Sequence, residues 1–531
     1  MALKADIDFT KDLFDAANKL RGSVAPSEYK NFVLPLIFLR YLSLRYEKRR
    51  EELEALVSDP SSDWYMEDLE MRKEILSDED QYRSERVYIL PDEAHWSHIV
   101  SNAKQPTIKK ILDESMKQIE EVNPELEGVL PRNIYQASNI PAESIAGLIE
   151  VFSRDVFGSS SEAVDVLGAT YIYFISEFAS SEGQRGGEFF TPASIVTLLV
   201  AMLEPISGTV FDPACGSGGM FVQSEDYTPN KHSLSFYGQE NVDMTLRLGK
   251  MNVLMHGINA EIRLGNSLLN DQFTTKHEDG SFEPMQFDHV IANPPFNLRD
   301  WGADRVSKQD PRLIVEYDKA VNNSNANYMW MQHFLWHLAP GGTAGYVMAN
   351  GAMTTNTSGE REVRQQLVED SYVDCIVQLP EKLFYGTGIP CCLFFLSKNR
   401  KGENGFRDRQ NEILFIDARK KGKMVSRRQK AFTQEEINEI ATVYHAYKTG
   451  EGKYEGIQGF YKVAAIADVR GNDYKLTPGI YVGTEEDTTD DIAFEEKFPM
   501  LINTLKDQFK ESQELQQRII SLLEEFEHED K

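Results

Sequence analysis

The chain has 531 residues, 41% of them hydrophobic and 26% charged. That balance excludes an intrinsically disordered chain and leaves material for roughly two to four domains with real cores. The formal net charge of −28 argues against strong unaided binding to duplex DNA, which rests on phosphate neutralisation by Lys and Arg.

Residues 1–150 read as a helical domain. Met1-Ala2-Leu3-Lys4-Ala5-Asp6 runs straight into polar sequence, so no signal peptide is expected. Thr10 can cap a helix through Leu13, Phe14, Ala17 and Leu20 that ends near Gly22. Ser27-Glu28 opens a longer one carrying Phe32, Val33, Leu36, Ile37, Leu39, Tyr41, Leu42 and Leu44, with a charged, solvated far end over 45–54. Glu28-Tyr29-Lys30, with Asp12 and Asp15 upstream, has nuclease-like spacing, but it opens a helix rather than lying on a strand. Pro60-Ser61-Ser62-Asp63 and Pro91-Asp92 mark loops.

Residues 151–485 alternate strands and helices. Strands are expected at 209–211, 235–239, 261–264, 287–292, 345–349, 373–378, 391–397 and 413–417, and helices between them include 326–338 and 360–370. The alternation argues for an α/β domain with a mainly parallel sheet covered on both faces. The late strands follow one another without a helix, which suggests a terminal antiparallel hairpin. The longest apolar stretches, such as 195–203, are too short to span a bilayer. Four cysteines, two of them adjacent at Cys391-Cys392, make neither a disulfide framework nor a zinc site and fit a reducing cytoplasm. Residues 486–531 form a helical tail. Ile502, Leu505, Phe509, Ser512, Gln516, Ile519, Leu523 and Phe526 follow 3,4 spacing, a seam that either folds back or docks onto a partner.

Two motifs carry chemistry. Asp212-Pro213-Ala214-Cys215-Gly216-Ser217-Gly218-Gly219 follows the first strand. Its glycines allow a tight turn and close approach of a ligand. The preceding carboxylate would repel a phosphate and welcome an ammonium, and no Lys-Ser/Thr follows to make a phosphate cradle. Asn293-Pro294-Pro295-Phe296 follows the strand at 287–292. Two prolines cannot continue a ladder, so the chain turns at the strand's carboxyl end, where open α/β sheets bind ligands. The Asn293 side-chain oxygen and the Pro294 carbonyl can accept from an exocyclic amino group, and Phe296 can stack on a flat base.

With these motifs in this order, the chain resembles the amino-group DNA methyltransferases that make N6-methyladenine. It most resembles the modification (methylation) subunit of type I restriction–modification systems. Further strings carry the likeness: Glu188-Phe189-Phe190-Thr191-Pro192, Gly238-Gln239-Glu240, Leu379-Pro380 and Gly386-Thr387-Gly388-Ile389-Pro390. The resemblance implies a Rossmann-like S-adenosyl-L-methionine-dependent catalytic domain. Asn293, Pro294, Pro295 and Phe296 would be catalytic, with Phe384 a candidate for the other face of the base. The cofactor would be held by Glu188, Phe190, Thr191 and Pro192, by Asp212, Pro213, Ala214, Gly216, Ser217 and Gly218, by Glu240 and Asn241, and by Asn266 and Ser267. Within that set Asp212 would take the methionine ammonium, Glu240 the ribose hydroxyls and Asn266 the adenine amino group. Related enzymes often carry Asp where Asn266 stands. Phe189 and Phe190 read equally well as core.

The resemblance also implies partners: DNA with a flipped adenine, a specificity subunit that reads the target, a second copy of this chain, and a restriction (nuclease/translocase) subunit in some assemblies. The tail would then dock onto the specificity subunit. Residues 299–312 and the basic run Arg419-Lys420-Lys421-Gly422-Lys423 with Arg427 and Arg428 could face DNA or be solvated loops. Tyr328, Met329, Trp330 and Trp336 have helical spacing and read as core. Three other readings compete. A stand-alone DNA methyltransferase would need its own recognition domain. A protein glutamine N-methyltransferase usually carries Tyr at the fourth motif position. An assembly scaffold would not need both motifs intact.

Overall fold

The computed structural model describes residues 23–25, 28–158, 163–182, 191–229, 232–357, 359–384, 389–403, 405–427 and 429–483, and parts of 498–517. The chain forms two compact units, Met1–Val482 and Gly483–Lys531.

In the first unit, helix α1 (Lys30–Ser58) buries Val33, Leu34, Leu36, Ile37, Phe38 and Leu39 in succession. A helix apolar on so many sides must be covered all round. Helix α2 (Ile108–Val122) shares the same core, and the cover of α1 includes α3 (Ala142–Phe152) and α4 (Ala163–Glu182). The resulting core runs from Tyr29 to Phe178 and also takes in Leu248, Met251 and Met255. Leu53 and Val57 are fully buried, so the charged far end of α1 is seated on one side rather than wholly solvated.

The sheet has ten strands: β1 (Gly208–Asp212), β2 (Leu234–Glu240), β3 (Ala260–Leu264), β4 (Phe287–Ala292), β5 (Leu338–Ala349), β6 (Val373–Gln378), β7 (Cys391–Ser397), β8 (Glu412–Asp417), β9 (Gly456–Ile457) and β10 (Tyr461–Ala465). Their spatial order is β9-β10-β8-β6-β7-β5-β4-β1-β2-β3. β3, β2, β1, β4 and β5 are parallel. β7 runs antiparallel between β5 and β6. β8 returns parallel to β6, and β10 antiparallel to β8.

The expected antiparallel hairpin is made by β6 and β7, and β7 is inserted between the parallel strands β5 and β6. β6 and β7 are buried along their whole length, as strands covered on both faces must be. β5 begins earlier than the expected 345 and takes in Pro340, Gly341 and Gly342. α5 (Ala193–Leu203), α6 (Gly219–Tyr227), α7 (Asp243–Met255), α8 (Asn327–His337), α9 (Glu360–Glu369) and α10 (Gln434–Thr449) complete the unit.

The topology fixes where a ligand can bind. The chain runs outward from β1 through β2 to β3, then crosses back to β4 on the other side of β1. This is the switch point of an open α/β sheet, and the carboxyl ends of β1, β2, β3 and β4 open on one edge.

In the second unit the described residues of 498–517 are helical, and Leu505, Phe509 and Leu515 are exposed. Ile519, Leu523 and Phe526 of the expected seam lie outside the described residues. Among the described residues, no helix is long and apolar enough to cross a membrane.

Candidate active site

A cavity of about 370 Å³ lies at the carboxyl ends of β1 to β4. Four turns from distant parts of the sequence build it. The first follows β1. Asp212 is buried at 2% exposure, and its Oδ1 accepts from the Ala214 N–H at 2.9 Å. Gly216 and Gly218 have φ of +54° and +73°, values that bring the chain sharply round into α6. A side chain built on Gly216 would meet nothing within 4 Å, so the loop leaves open space beside it. From behind, α7 presses close. A methyl group on Gly249 would stand 2.8 Å from the Gly216 carbonyl oxygen.

Glu240 at the end of β2 closes this loop from the side. Its Oε2 accepts from Gly216 N–H at 3.1 Å and its Oε1 from Val242 N–H at 2.8 Å. After β3, Asn266 Oδ1 accepts from the amides of Leu268 and Leu269 at 3.1 and 3.3 Å. The oxygen expected to meet an adenine amino group is thus already engaged in shaping its own turn. Ser267 Oγ donates to the Pro213 carbonyl at 2.5 Å and ties the third turn to the first.

The fourth turn follows β4. Asn293 Nδ2 donates to Thr191 Oγ1 at 2.8 Å, which joins it to the residues opening α5. Asn297, at φ +53°, exchanges hydrogen bonds with Asn327. Its N–H donates to Asn327 Oδ1 and its Oδ1 accepts from Asn327 Nδ2, both at 3.0 Å. This amide pair, which the sequence did not reveal, pins the turn to the start of α8.

Burial pushes the Asp212 carboxyl up to about 8, with Glu240 adding to the rise and the Ala214 amide opposing it. Among the described residues it has no ion-pair partner. A cationic ligand beside it would remove the cost of its charge.

The expected residues divide as follows. Thr191, Asp212, Pro213, Ala214, Gly216 and Ser217 lie in the cavity wall. Glu240, Asn241, Asn266, Ser267, Asn293 and Pro295 lie there too. Pro192 and Pro294 are buried outside the wall, and Gly218 and Phe296 are also outside it. Phe296 meets Phe384 edge to face, centroids 5.8 Å apart at 80°. The two rings therefore do not present parallel faces to a base. Glu188, Phe189, Phe190 and Gly386-Thr387-Gly388 lie outside the described residues.

Several wall residues were not expected: Lys30 and Ile175 from the helical part, and Leu298, Trp301 and Trp330 beside the fourth turn. Trp330 is buried as expected of core, yet it borders the cavity. Arg312, read as a residue that could face DNA, is instead held inside. Its guanidinium donates to the carbonyls of Ser267 and Leu268 at 3.2 and 2.8 Å and pairs with Asp310 at 2.7 Å.

The profile described as N-6 DNA Methylase matches residues 162–490, and that of the HsdM N-terminal domain matches residues 9–152. The type I restriction enzyme MjaIX methylase subunit of Methanocaldococcus jannaschii is 39% identical over 525 residues, covering 97% of this chain and 91% of that one. The HindI methylase subunit of Haemophilus influenzae is 40% identical over 425 residues, covering 78% of this chain and 91% of its own length. The methyltransferase subunit of a type I restriction–modification system from Streptococcus thermophilus shares the fold, with a TM-score of 0.71 at 23% identity over 89% of this chain and 98% of that chain. The chain belongs to the methylase subunits of type I restriction enzymes and is an N6-adenine DNA methyltransferase of the N-6 DNA methylase family.

Proposed function

We propose that the cavity binds S-adenosyl-L-methionine beside a target adenine flipped out of DNA, and that a separate specificity subunit reads the sequence. The carrying observation is one of placement. The Asp212 loop and the Asn293 turn stand on adjacent parallel strands, β1 and β4, and open into one cavity.

The residues present fit the cofactor. Asp212 is a buried carboxyl with no ion-pair partner among the described residues, suited to an ammonium group. Gly216 leaves open space beside the loop. Glu240 stands at the end of β2, where a carboxylate can accept from ribose hydroxyls. Asn266 and Ser267 shape the adenine side through their turn. When bound, S-adenosylmethionine supplies an activated methyl group on its sulfonium.

The chain's part is positioning and electrostatics. Thr191 holds the Asn293 amide in place. The Asn293 side-chain oxygen and the Pro294 carbonyl then accept from the N6 amino group and stabilise positive charge as it develops there. The amide pair of Asn297 and Asn327 keeps the turn from yielding. Phe296 contacts the base. Flipping costs a few kcal/mol, which a partner gripping the duplex helps to supply.

In this reading residues 1–150 are a helical domain, 151–485 the catalytic domain and 486–531 a docking tail. A second copy of the chain and a specificity subunit would join the assembly, and a restriction subunit could join them. The test is transfer of labelled methyl from S-adenosylmethionine to unmethylated DNA by this chain alone and co-expressed with its neighbouring subunit. N6-methyladenine only with the partner supports the reading. Label from the isolated chain would remove the separate reader, and label on protein instead of DNA would favour an amide substrate.

A further inference from the structure

Lys30 stands in the cavity wall although it belongs to the first turn of α1, more than 150 residues before the first motif. Its backbone is held firmly on both sides. Tyr29 is buried against Phe178, centroids 6.2 Å apart at 89°. The Phe32 carbonyl accepts from Tyr135 Oη at 2.7 Å, and Val33 is fully buried. Beside it, α4 contributes Ile175 to the wall and is fastened to α7 by the Tyr171 hydroxyl, which donates to the Leu248 carbonyl at 2.9 Å. The helical part is thus a fixed wall of the cavity, and Lys30 is placed there by packing.

The charges in the cavity are unequal. Among the described residues of its wall, Lys30 is the one basic side chain, against the carboxylates of Asp212 and Glu240. Four amides of the glycine loop are already engaged. The amides of Ala214 and Gly216 donate to Asp212 and Glu240. Those of Cys215 and Gly218 donate to the carbonyls of Gln239 and Cys215. S-adenosylmethionine carries two cationic centres and one anion, its α-carboxylate. Asp212 answers the ammonium and Glu240 the ribose hydroxyls, which leaves the α-carboxylate, and an ammonium on a flexible stem answers a carboxylate through charge-assisted hydrogen bonds.

Building on the cofactor reading above, we propose that Lys30 of the helical part binds the α-carboxylate of S-adenosylmethionine, so that the cofactor site is completed by the helical wall. A catalytic domain freed of that wall would hold the nucleoside and lose its grip on the amino-acid end.

A double-mutant cycle on the full chain tests this, with binding followed by calorimetry rather than by turnover. The two ligands are S-adenosylmethionine and its decarboxylated form, which keeps the nucleoside, sulfonium and amine. The wild-type chain should bind the decarboxylated form about tenfold more weakly or worse. Lys30→Gln should lose about tenfold for S-adenosylmethionine and stay within about twofold for the decarboxylated form. Lys30→Arg should retain most of the discrimination. These losses are of the size expected for one charge-assisted contact. Equal losses for both ligands would show a packing role and overturn the assignment. Unchanged S-adenosylmethionine binding with weaker DNA retention would overturn it in favour of a phosphate contact. A wild-type chain that binds neither ligand would overturn the cofactor reading itself, and the assignment of Lys30 with it.

Discussion

In the proposed site Asp212 and Asn293 do different work, and single substitutions would separate them. Asp212 is buried with its carboxyl pushed up to about 8 from an ordinary 3.8. The unfolded chain gives up this proton near 3.8 while the folded chain holds it to about 8. Free-protein stability from this group therefore falls as pH rises through that interval. Asp212→Asn removes the penalty. Its melting temperature should exceed that of wild type by a margin that widens up to about pH 8, while S-adenosylmethionine affinity drops by about tenfold or more. Thermal melts across pH with and without cofactor, paired with calorimetry, would reveal both. Unaltered cofactor affinity would remove the ammonium role. Asn293→Ala should act the other way, cutting methyl transfer by about 10²–10³-fold as the loss of one transition-state contact does, with cofactor affinity nearly intact. If the two fell together, the division between a cofactor loop and a base turn would fail.

Elements bring these residues together through close backbone contact. The carbonyl of Gly216 faces α7 at Gly249, where a methyl group would stand 2.8 Å away. Gly249→Ala gains about 1 kcal/mol of helix propensity and loses about 1–3 kcal/mol to overpacking, so stability should fall by up to about 2 kcal/mol. The loop must shift, and cofactor affinity should fall about fivefold or more, as for any ligand held by a displaced turn. Calorimetry on this variant would decide it, and wild-type affinity would mean that α7 does not shape the loop. Strands β1 to β4 were legible because each is a short apolar or alternating run ended by a turn signal. The site's two main turns were legible because glycines and prolines act locally. What stayed hidden depends on distance. Lys30, Trp301 and the amide pair of Asn297 and Asn327 acquire their places only when remote segments meet. The antiparallel pairing of the late strands β6 and β7 was legible, but the insertion of β7 between β5 and β6 was not, because periodicity reports burial and not strand order.

At the scale of the whole molecule, charge decides how DNA can be held. The chain has 84 acidic and 56 basic residues, and part of its most basic run is already paired. Arg419 binds Asp417 and Lys421 binds Glu439, each at 2.6 Å. Lys423 and Arg427 in the same run are exposed, as are Arg305 and Lys308 beyond the catalytic turn. The isolated chain should therefore retain duplex DNA only weakly, and retention should rise when the proposed specificity subunit is present. Each phosphate contact supplied by this chain adds about 0.9 to the slope of log affinity against log salt. Replacing Lys423 and Arg427 together by Ala in that assembly should lower the slope by about 2 if both meet phosphate. Anisotropy of labelled duplex across a salt series would measure it. An unchanged slope would make the run a solvated loop and turn attention to Arg305 and Lys308. Tight, steeply salt-dependent binding by the isolated chain would show that local basic surface outweighs the net charge, and the need for a second DNA-binding subunit would disappear.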